Sequence, residues 1–317
     1  MPFRLRSTES VADGLRRLAR AELGSISTHL DGAAPPGADA IHEIRKSVKK
    51  TRAILRILDA DDGRGLARTA KRLHAINDRL SAVRDADVML ETLDILRTKN
   101  PGILNGPCLV RVHRRLSSDK RSVMKTAGGK ATWRRVGKSV RRIRREAKQW
   151  NPKHRQFRSL AAGIRQAHQR GRKLMARARK RQRAADFHEW RKQIKTLWYE
   201  LRLLERSGPR IRRDVKALHL AEVWLGNEHD VVMLSDELSK DGSQGDTPVD
   251  FDRIRLVGDS YRCELRTKAL ASTARIYART SREYVHFVRR EWQRWHTPRR
   301  SPYGSDSSAR RRSQSES

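Results

Sequence analysis

Two short segments of the chain repeat one order of cationic side chains. Residues 41–58 read IHEIRKSVKKTRAILRIL, and residues 187–204 read FHEWRKQIKTLWYELRLL. Both contain the order His-x-x-Arg-Lys-x-x-Lys, and 8 of the 18 aligned positions are identical. Arginine presents a planar fork of donors and lysine a compact positive charge, so both suit phosphate oxygens. The repeated pattern therefore indicates contact with an anion that carries several charges.

The same residues do not form a recognisable catalytic or metal-binding pattern. A zinc helix of the type His-Glu-x-x-His would need a second histidine, but Lys46 and Lys192 stand at that position. The sequence also lacks a Gly-rich phosphate loop ending in Gly-Lys-Ser/Thr, and an acidic cluster that could hold Mg²⁺. We therefore expect no metal, no cofactor and no catalysis. His42 and His188 are open to three interpretations: phosphate contacts, pH switches near a pKa of about 6.5, or polar residues at the edge of the stripe.

Helical periodicity places these side chains on one face of each segment. At 100° per residue, the apolar residues of segment 41–58 fall on one arc and the cationic residues on the adjacent arc, and segment 187–204 behaves in the same way. The expected phosphate contacts are His42, Arg45, Lys46, Lys49, Arg52 and Arg56 in the first copy, and His188, Arg191, Lys192, Lys195, Tyr199 and Arg202 in the second. Arg172 and Lys173 are added because they precede the second copy within a basic stretch.

A second pair of segments matches at nearly the same offset. Residues 80–93 (LSAVRDADVMLETL) align with residues 225–238 (LGNEHDVVMLSDEL), which places Asp85 opposite Asp230. Two matches in the same order predict a duplicated unit of several helices. Asp85 and Asp230 are expected at helix starts, where they could cap the helix or orient basic side chains of the repeated segments. The sequence leaves both interpretations open.

Apolar spacings of three and four run through nearly the whole chain and predict an all-α protein. Gly, Pro, Asp, Asn and Ser predict breaks at 31–39, 61–65, 100–107, 151–152, 207–209 and 241–248. We expect one domain over about 8–296, with repeat one at about 8–98, a basic helical connection at about 103–150, repeat two at about 155–240 and final helices at about 250–296. The Ser/Arg-rich residues 297–317 are expected to be a disordered tail.

The strongly basic composition indicates an anionic partner. Lys and Arg number 72 against 36 Asp and Glu, which gives a net charge of +36, and residues 103–183 carry 27 of the basic residues but only two acids. Nucleic acid, an anionic membrane surface and a free polyanion all fit this charge. The two cysteines show no disulfide or metal spacing, which favours a reducing cytoplasm. No segment is apolar enough for a membrane span or a signal peptide.

The two repeated segments resemble the signature helices of the CHAD family, the conserved-histidine α-helical domain. LSAVRDADVML and GRKLMARARK resemble two further helices of that family, and the resemblance extends over about residues 8–296. It implies two pseudo-symmetric four-helix bundles with a basic channel between them that binds inorganic polyphosphate. We expect a member without the CYTH domain that often precedes this fold. Trp198 and Thr196 stand where the first copy has Arg52 and Lys50, so the second stripe is less cationic.

The sequence thus predicts a cytoplasmic protein that binds polyphosphate without transforming it and docks to polyphosphate granules. Two alternatives belong to other classes: a non-specific nucleic-acid-binding protein and an enzyme of polyphosphate metabolism. The segment RRVGKSVRRIRR at 134–145 is the one best suited to a duplex or a membrane, although such charge runs are most often solvated helix faces. Aromatic residues make up 5% of the chain, which disfavours a base-stacking surface.

Overall fold

The structure of the chain is a computed structural model. It describes residues 2–30, 37–62, 66–104, 107–127, 130–150, 154, 156–239 and 248–296. The tail predicted at 297–317 lies outside the described residues.

The described residues form eleven α-helices and one 3-10 turn, and none of them is in a strand. The helices are α1 (Val11–Leu30), α2 (Ala38–Asp62), α3 (Ala67–Arg79), α4 (Ser81–Lys99), α5 (Pro107–Ala127), α6 (Lys130–Ala147), α7 (Arg158–Arg181), α8 (Ala184–Arg202), α9 (Pro209–Ser239), α10 (Pro248–Ala278) and α11 (Ser281–Trp295), with the 3-10 turn at Glu205–Ser207. The prediction of an all-α protein is confirmed.

Helix boundaries follow the local residue types only in part. Each of the six predicted breaks lies where one described helix ends and the next begins, although most of the break residues themselves lie outside the described ranges. The junction of α7 and α8 lacks Gly and Pro and was not predicted. It turns at Gln182, whose left-handed φ of 54° ends α7 while its N–H donates to the carbonyl of Ala178. Asp230, expected at a helix start, lies inside α9, because the apolar spacing continues through it without a breaking residue.

The two repeated helices, α2 and α8, meet in one apolar core. This core draws its buried residues from α1, α2, α3, α6, α7, α8, α9, α10 and α11, whereas a second cluster joins α4, α5, α9 and α10. The predicted apolar arcs point into the first core: Ile44 and Val48 of α2 and Trp190 and Ile194 of α8 are all fully buried. Because α2 packs against both α7 and α8, the cationic faces of the repeated helices are brought close together. The division into two pseudo-symmetric bundles stays a prediction.

A close contact between α7 and α10 gives a test of this packing. A Cβ added at Gly171 would lie 2.5 Å from the hydroxyl oxygen of Tyr277, whose ring is buried. We expect Gly171→Ala to lower the free energy of unfolding by about 1–3 kcal/mol through overpacking, as measured by urea denaturation. Gly24→Ala in α1 is the control, since its Cβ would meet nothing within 4 Å. The control should instead stabilise the protein by about 0.5–1 kcal/mol, and equal effects of the two substitutions would contradict the α7–α10 contact.

Candidate functional site

Helices α2, α3, α7 and α8 enclose a cleft with a volume of about 710 Å³. Six Lys and Arg side chains line it and are called the cleft cations below. They are Lys49, Arg52 and Arg56 from α2, Arg170 from α7, and Lys192 and Lys195 from α8. Five of the six belong to the repeated helices. The cleft therefore combines the two copies of the motif into a single surface.

Helical geometry explains why these side chains converge. Lys49, Arg52 and Arg56 are three and four residues apart, and so are Lys192, Lys195 and Tyr199 (which also lines the cleft). Each set occupies one face of its helix, next to the apolar arc that packs into the core. Since α2 contacts α8 directly, the two faces become neighbouring walls. Arg56 joins them, because its Nη1 donates to the hydroxyl of Thr196 over 3.0 Å.

Two carboxyl groups also line the cleft, and they differ in charge. Asp59 is exposed, whereas Glu200 is buried. Burial raises the pKa of Glu200 to about 8, and the nearby charge of Arg56 opposes this rise without cancelling it. Near pH 7 Glu200 is therefore protonated in most molecules. The described lining then presents six cations with Asp59, while Lys192 and Lys195 also pair with Glu189 and Glu222 at the edge of the cleft, so the net charge of the cleft stays positive.

Neutral donors complete the lining. The side chain of Tyr199 is buried, and burial raises the pKa of its hydroxyl well above the ordinary value, so the hydroxyl stays protonated. The amide side chains of Asn77, Gln166 and Gln193 also lie in the cleft. Such groups can donate to anionic oxygens without adding charge. The arrangement suits a multiply charged oxyanion that is held by ionic contacts and by neutral hydrogen bonds.

The family model of the CHAD domain matches residues 17–239. The chain belongs to the CHAD family. Two solved structures share the fold of this CHAD domain. The first is the crystal structure of the CHAD domain from the plant Ricinus communis, whose sequence is 18% identical to this chain. The match has a TM-score of 0.53 and covers 92% of this chain and 95% of the plant chain. The second is PptA from Streptomyces chartreusis, which is 15% identical. This match has a TM-score of 0.56 and covers 90% of this chain and 100% of PptA. A search of curated proteins found no match.

The first aligned pair of arginines, Arg45 and Arg191, does not line the cleft of this CHAD domain. Arg45 is buried, and its Nη1 donates to the carbonyl of Asn77 over 3.0 Å, near the end of α3. The side chain of Arg191 reaches α9, where it lies 3.4 Å from Glu222 and directly above Gly226. A Cβ at Gly226 would lie 2.9 Å from Nη2 of Arg191. Both arginines therefore tie a repeated helix to a neighbouring helix.

The two histidines also lie away from the lining of the cleft. His42 is exposed, whereas His188 is half-buried with its ring centroid 4.2 Å from that of His229. Burial, together with the nearby charges of His229 and Lys192, lowers the pKa of His188 to about 4. The interpretation of both histidines as pH switches near a pKa of about 6.5 therefore fails for His188. A half-buried ring surrounded by cations disfavours a further positive charge.

The remaining residues that were predicted to contact phosphate are exposed or stack on an aromatic ring. Lys46 pairs with Glu43 at 2.7 Å, and Lys192, which lines the cleft, pairs with Glu189 at 2.6 Å in the equivalent place. Exposed pairs of this kind contribute only about 0–1 kcal/mol, so an anion can compete for the lysines. Arg172 and Lys173 are exposed on α7, and the guanidinium of Arg202 stacks 4.9 Å from the Trp198 ring. None of these four, Lys46, Arg172, Lys173 and Arg202, lines the cleft.

Among the lining residues of the CHAD domain that the sequence did not predict, His74 and Asn77 lie on α3 and Arg170 lies on α7. They lie outside the repeated segments, so the motif carries no information about them. The only available signal was the basic composition around Arg170. Their position depends on how α3 and α7 pack against α2, which a helical wheel cannot show.

A second basic groove, of about 800 Å³, lies between α1 and α6. Its cations are Arg20, Lys138, Arg141, Arg142, Arg144, Arg145 and Lys148, and no acidic residue is among its described lining. Leu23 and Ala147 provide an apolar floor. The groove thus includes much of the segment 134–145 but no residue of the repeated helices. It forms a surface distinct from the cleft.

Two absences apply to the described part of this CHAD domain. None of its helices is long and apolar enough to cross a membrane. No group of three or more His, Cys, Asp or Glu side chains is arranged so that it could hold a metal ion.

Proposed function

We propose that this CHAD domain binds inorganic polyphosphate, or a similar extended polyanion, in the cleft between α2 and α8. The observation that carries the proposal is the meeting of six cations from α2, α7 and α8 in one cleft, where they outnumber the carboxylates that pair with them or line the cleft beside them. Cations at this density repel one another unless an anion neutralises them. A ligand with many negative charges relieves that repulsion along the whole cleft.

The shape of the cationic surface favours a chain over a single phosphate. Lys49 and Arg56 are seven residues apart on α2, so the row of cations on that helix is roughly 10 Å long. A linear polyphosphate places successive charges along such a row. Arginine forks and lysine ammoniums each make charge-assisted hydrogen bonds to the oxygens. Docking to polyphosphate granules in the cytoplasm is the cellular role that we propose for this binding.

We further propose that the domain does not transform the polymer. Metal-assisted phosphoryl chemistry needs carboxylates that hold cations beside the substrate. The described lining offers only Asp59 and Glu200, and Glu200 is mostly protonated near pH 7. This donor set suits binding of an anion better than binding of Mg²⁺.

A competition experiment tests this proposed function. Long-chain polyphosphate should displace labelled duplex DNA when both are compared at equal phosphate concentration, and binding of both should weaken steeply with salt, because counterions are released. The same protein incubated with polyphosphate and Mg²⁺ or Mn²⁺ should release no orthophosphate. Displacement of polyphosphate by DNA at moderate salt, or metal-dependent shortening of the chain, would contradict the proposal.

Non-specific nucleic-acid binding is the second candidate function, and the groove between α1 and α6 favours it. Arg134, Arg135 and Arg141 are exposed on α6, and Arg141 lines this groove. A solvated row of arginines is the usual footprint for the phosphates of a duplex. Since this surface is separate from the cleft, variants can distinguish the two functions.

A further inference from the structure

Glu200 is an unusual residue on the wall of a cationic cleft. Its side chain is 2% exposed, and its Oε2 has no hydrogen-bond partner. Its Oε1 faces α7, where it would lie 3.3 Å from a Cβ at Gly163. A buried polar atom without a partner costs about 1–3 kcal/mol, so native proteins rarely keep one without a use.

The surroundings of Glu200 decide which partner suits it. The cleft cations face it from α2, α7 and α8, and Arg56 is the one whose charge acts on it most directly. The other titratable groups of the cleft are Asp59 on α2, His74 on α3 and Tyr199 on α8. A ligand attracted by these cations brings acceptor oxygens into the cleft. An ionised carboxylate would repel such a ligand, whereas a protonated carboxyl can donate to it.

We infer that Glu200 is a ligand contact in this cleft, where its protonated carboxyl donates a hydrogen bond to a non-bridging phosphate oxygen, and that binding of the polyanion is linked to uptake of a proton. The inference rests on the proposed function and adds a residue that selects oxyanions. It assigns a role to a carboxyl that charge complementarity alone would exclude from an anion site.

Burial of Glu200 supports this assignment. It raises the pKa of the free carboxyl to about 8, so the donor form dominates at neutral pH. A bound polyanion favours the protonated form further, so the pKa is higher still in the complex. As pH rises above about 8, Glu200 of the free protein loses this proton. Binding of the polyanion then requires that Glu200 take up a proton again. Affinity therefore falls by up to about tenfold per pH unit until the pKa of the complex is reached.

The test compares the wild type with Glu200→Gln and Glu200→Ala. The dissociation constant for long-chain polyphosphate is measured from pH 6.5 to 9.5 at constant ionic strength. Gln keeps a neutral donor at every pH, so its affinity should lack the fall that the wild type shows above pH 8. Ala removes the donor, so it should bind about tenfold or more weakly than Gln at pH 7. Titration of lysines and of the polymer is common to all three proteins and cancels in the comparison.

Calorimetry gives a second measurement that needs no variant. Titrations of the wild type at pH 8.5, in two buffers with different heats of ionisation, should show uptake of a large fraction of one proton per site, since only a minority of the free carboxyls carry the proton at that pH. Glu200→Gln should show less. An identical pH profile for wild type and Glu200→Gln, or no uptake by the wild type, would overturn the inference while leaving polyphosphate binding intact. Absence of polyphosphate binding by the wild type at every pH would instead refute the proposed function.

Discussion

A variant that lacks four of the cleft cations is expected to bind polyphosphate at least about a hundredfold more weakly than the wild type. The four are Arg52, Arg56, Arg170 and Lys192, each replaced by alanine. Charge-assisted contacts at a partly desolvated site contribute about 1.5–3 kcal/mol each. The loss of affinity is therefore large even if only some of the four cations contact the polyphosphate. Lys195 is kept because it also pairs with a buried carboxylate. Fluorescence anisotropy with labelled polyphosphate measures the loss.

The matched control removes the same charge from α6. Its substitutions are Arg134→Ala, Arg135→Ala, Arg141→Ala and Arg145→Ala. Both variants lower the net charge from +36 to +32, since each loses four positive charges. Solvated charges contribute little individually, so the α6 variant should lose less than about tenfold in polyphosphate affinity. It should lose more affinity for duplex DNA than the cleft variant does. Similar losses of polyphosphate affinity in both would mean that the general field of the protein, and not the cleft, binds the polymer.

The second large effect concerns stability and arises where α8 meets α9. Glu222 is buried, and both Lys195 and Arg191 pair with it. We expect the double substitution Arg191→Met and Lys195→Met to lower the free energy of unfolding by about 3–5 kcal/mol, because it removes both ion-pair partners of a buried charge and leaves only the weaker influence of Lys49. Methionine keeps most of the length of each side chain, so packing changes little. Urea denaturation near pH 7 measures the loss.

Two controls separate this ion cluster from simple packing. Adding Glu222→Gln to the double variant should recover most of the lost stability, because no charge then stays buried. The pH dependence provides the other control. Burial alone would raise the pKa of Glu222, but Lys195 and Arg191 bring it below the ordinary value. The stabilisation is therefore present above about pH 4.5 and is lost as pH falls through the pKa of the folded protein. A stability gap that is unchanged at low pH, together with no rescue, would refute the ion cluster.

The sequence predicted the repeated helices well because their periodicity is local. The apolar arc of α2 is buried as expected, and Lys49 and Arg52 lie on the cationic wall beside it. A helical wheel, however, gives only the face of a residue and not the neighbour which that face meets. Arg45 lies one turn before Lys49, but it meets the end of α3 and is buried there. Arg170 illustrates the converse, since the packing of α7 places it in the cleft without any motif to mark it.

The internal repeat in the sequence does not make the cleft symmetric. Arg52 lines the cleft, whereas Trp198 at the equivalent position of α8 stacks on His219 with ring centroids 4.6 Å apart. Likewise Arg56 bonds to Thr196, whereas its counterpart Arg202 stacks on Trp198. The residues of the second copy that differ from those of the first thus have different side-chain partners. All three arginines of the described lining come from α2 and α7, and α8 contributes none, so the two repeated helices contribute unequally to the cleft.

The pairing of α2 with α8 has a consequence for biosynthesis. The hydrogen bond from Arg56 to Thr196 joins residues that are 140 positions apart in the chain. A ribosome that adds about 5–20 residues per second needs roughly 7 to 28 s to make the intervening segment. During that interval α1 can cover part of α2, but the surface of α2 that meets α8 stays open to solvent. The nascent chain thus exposes the cationic face of α2 beside the ribosomal RNA until the second copy of the motif emerges.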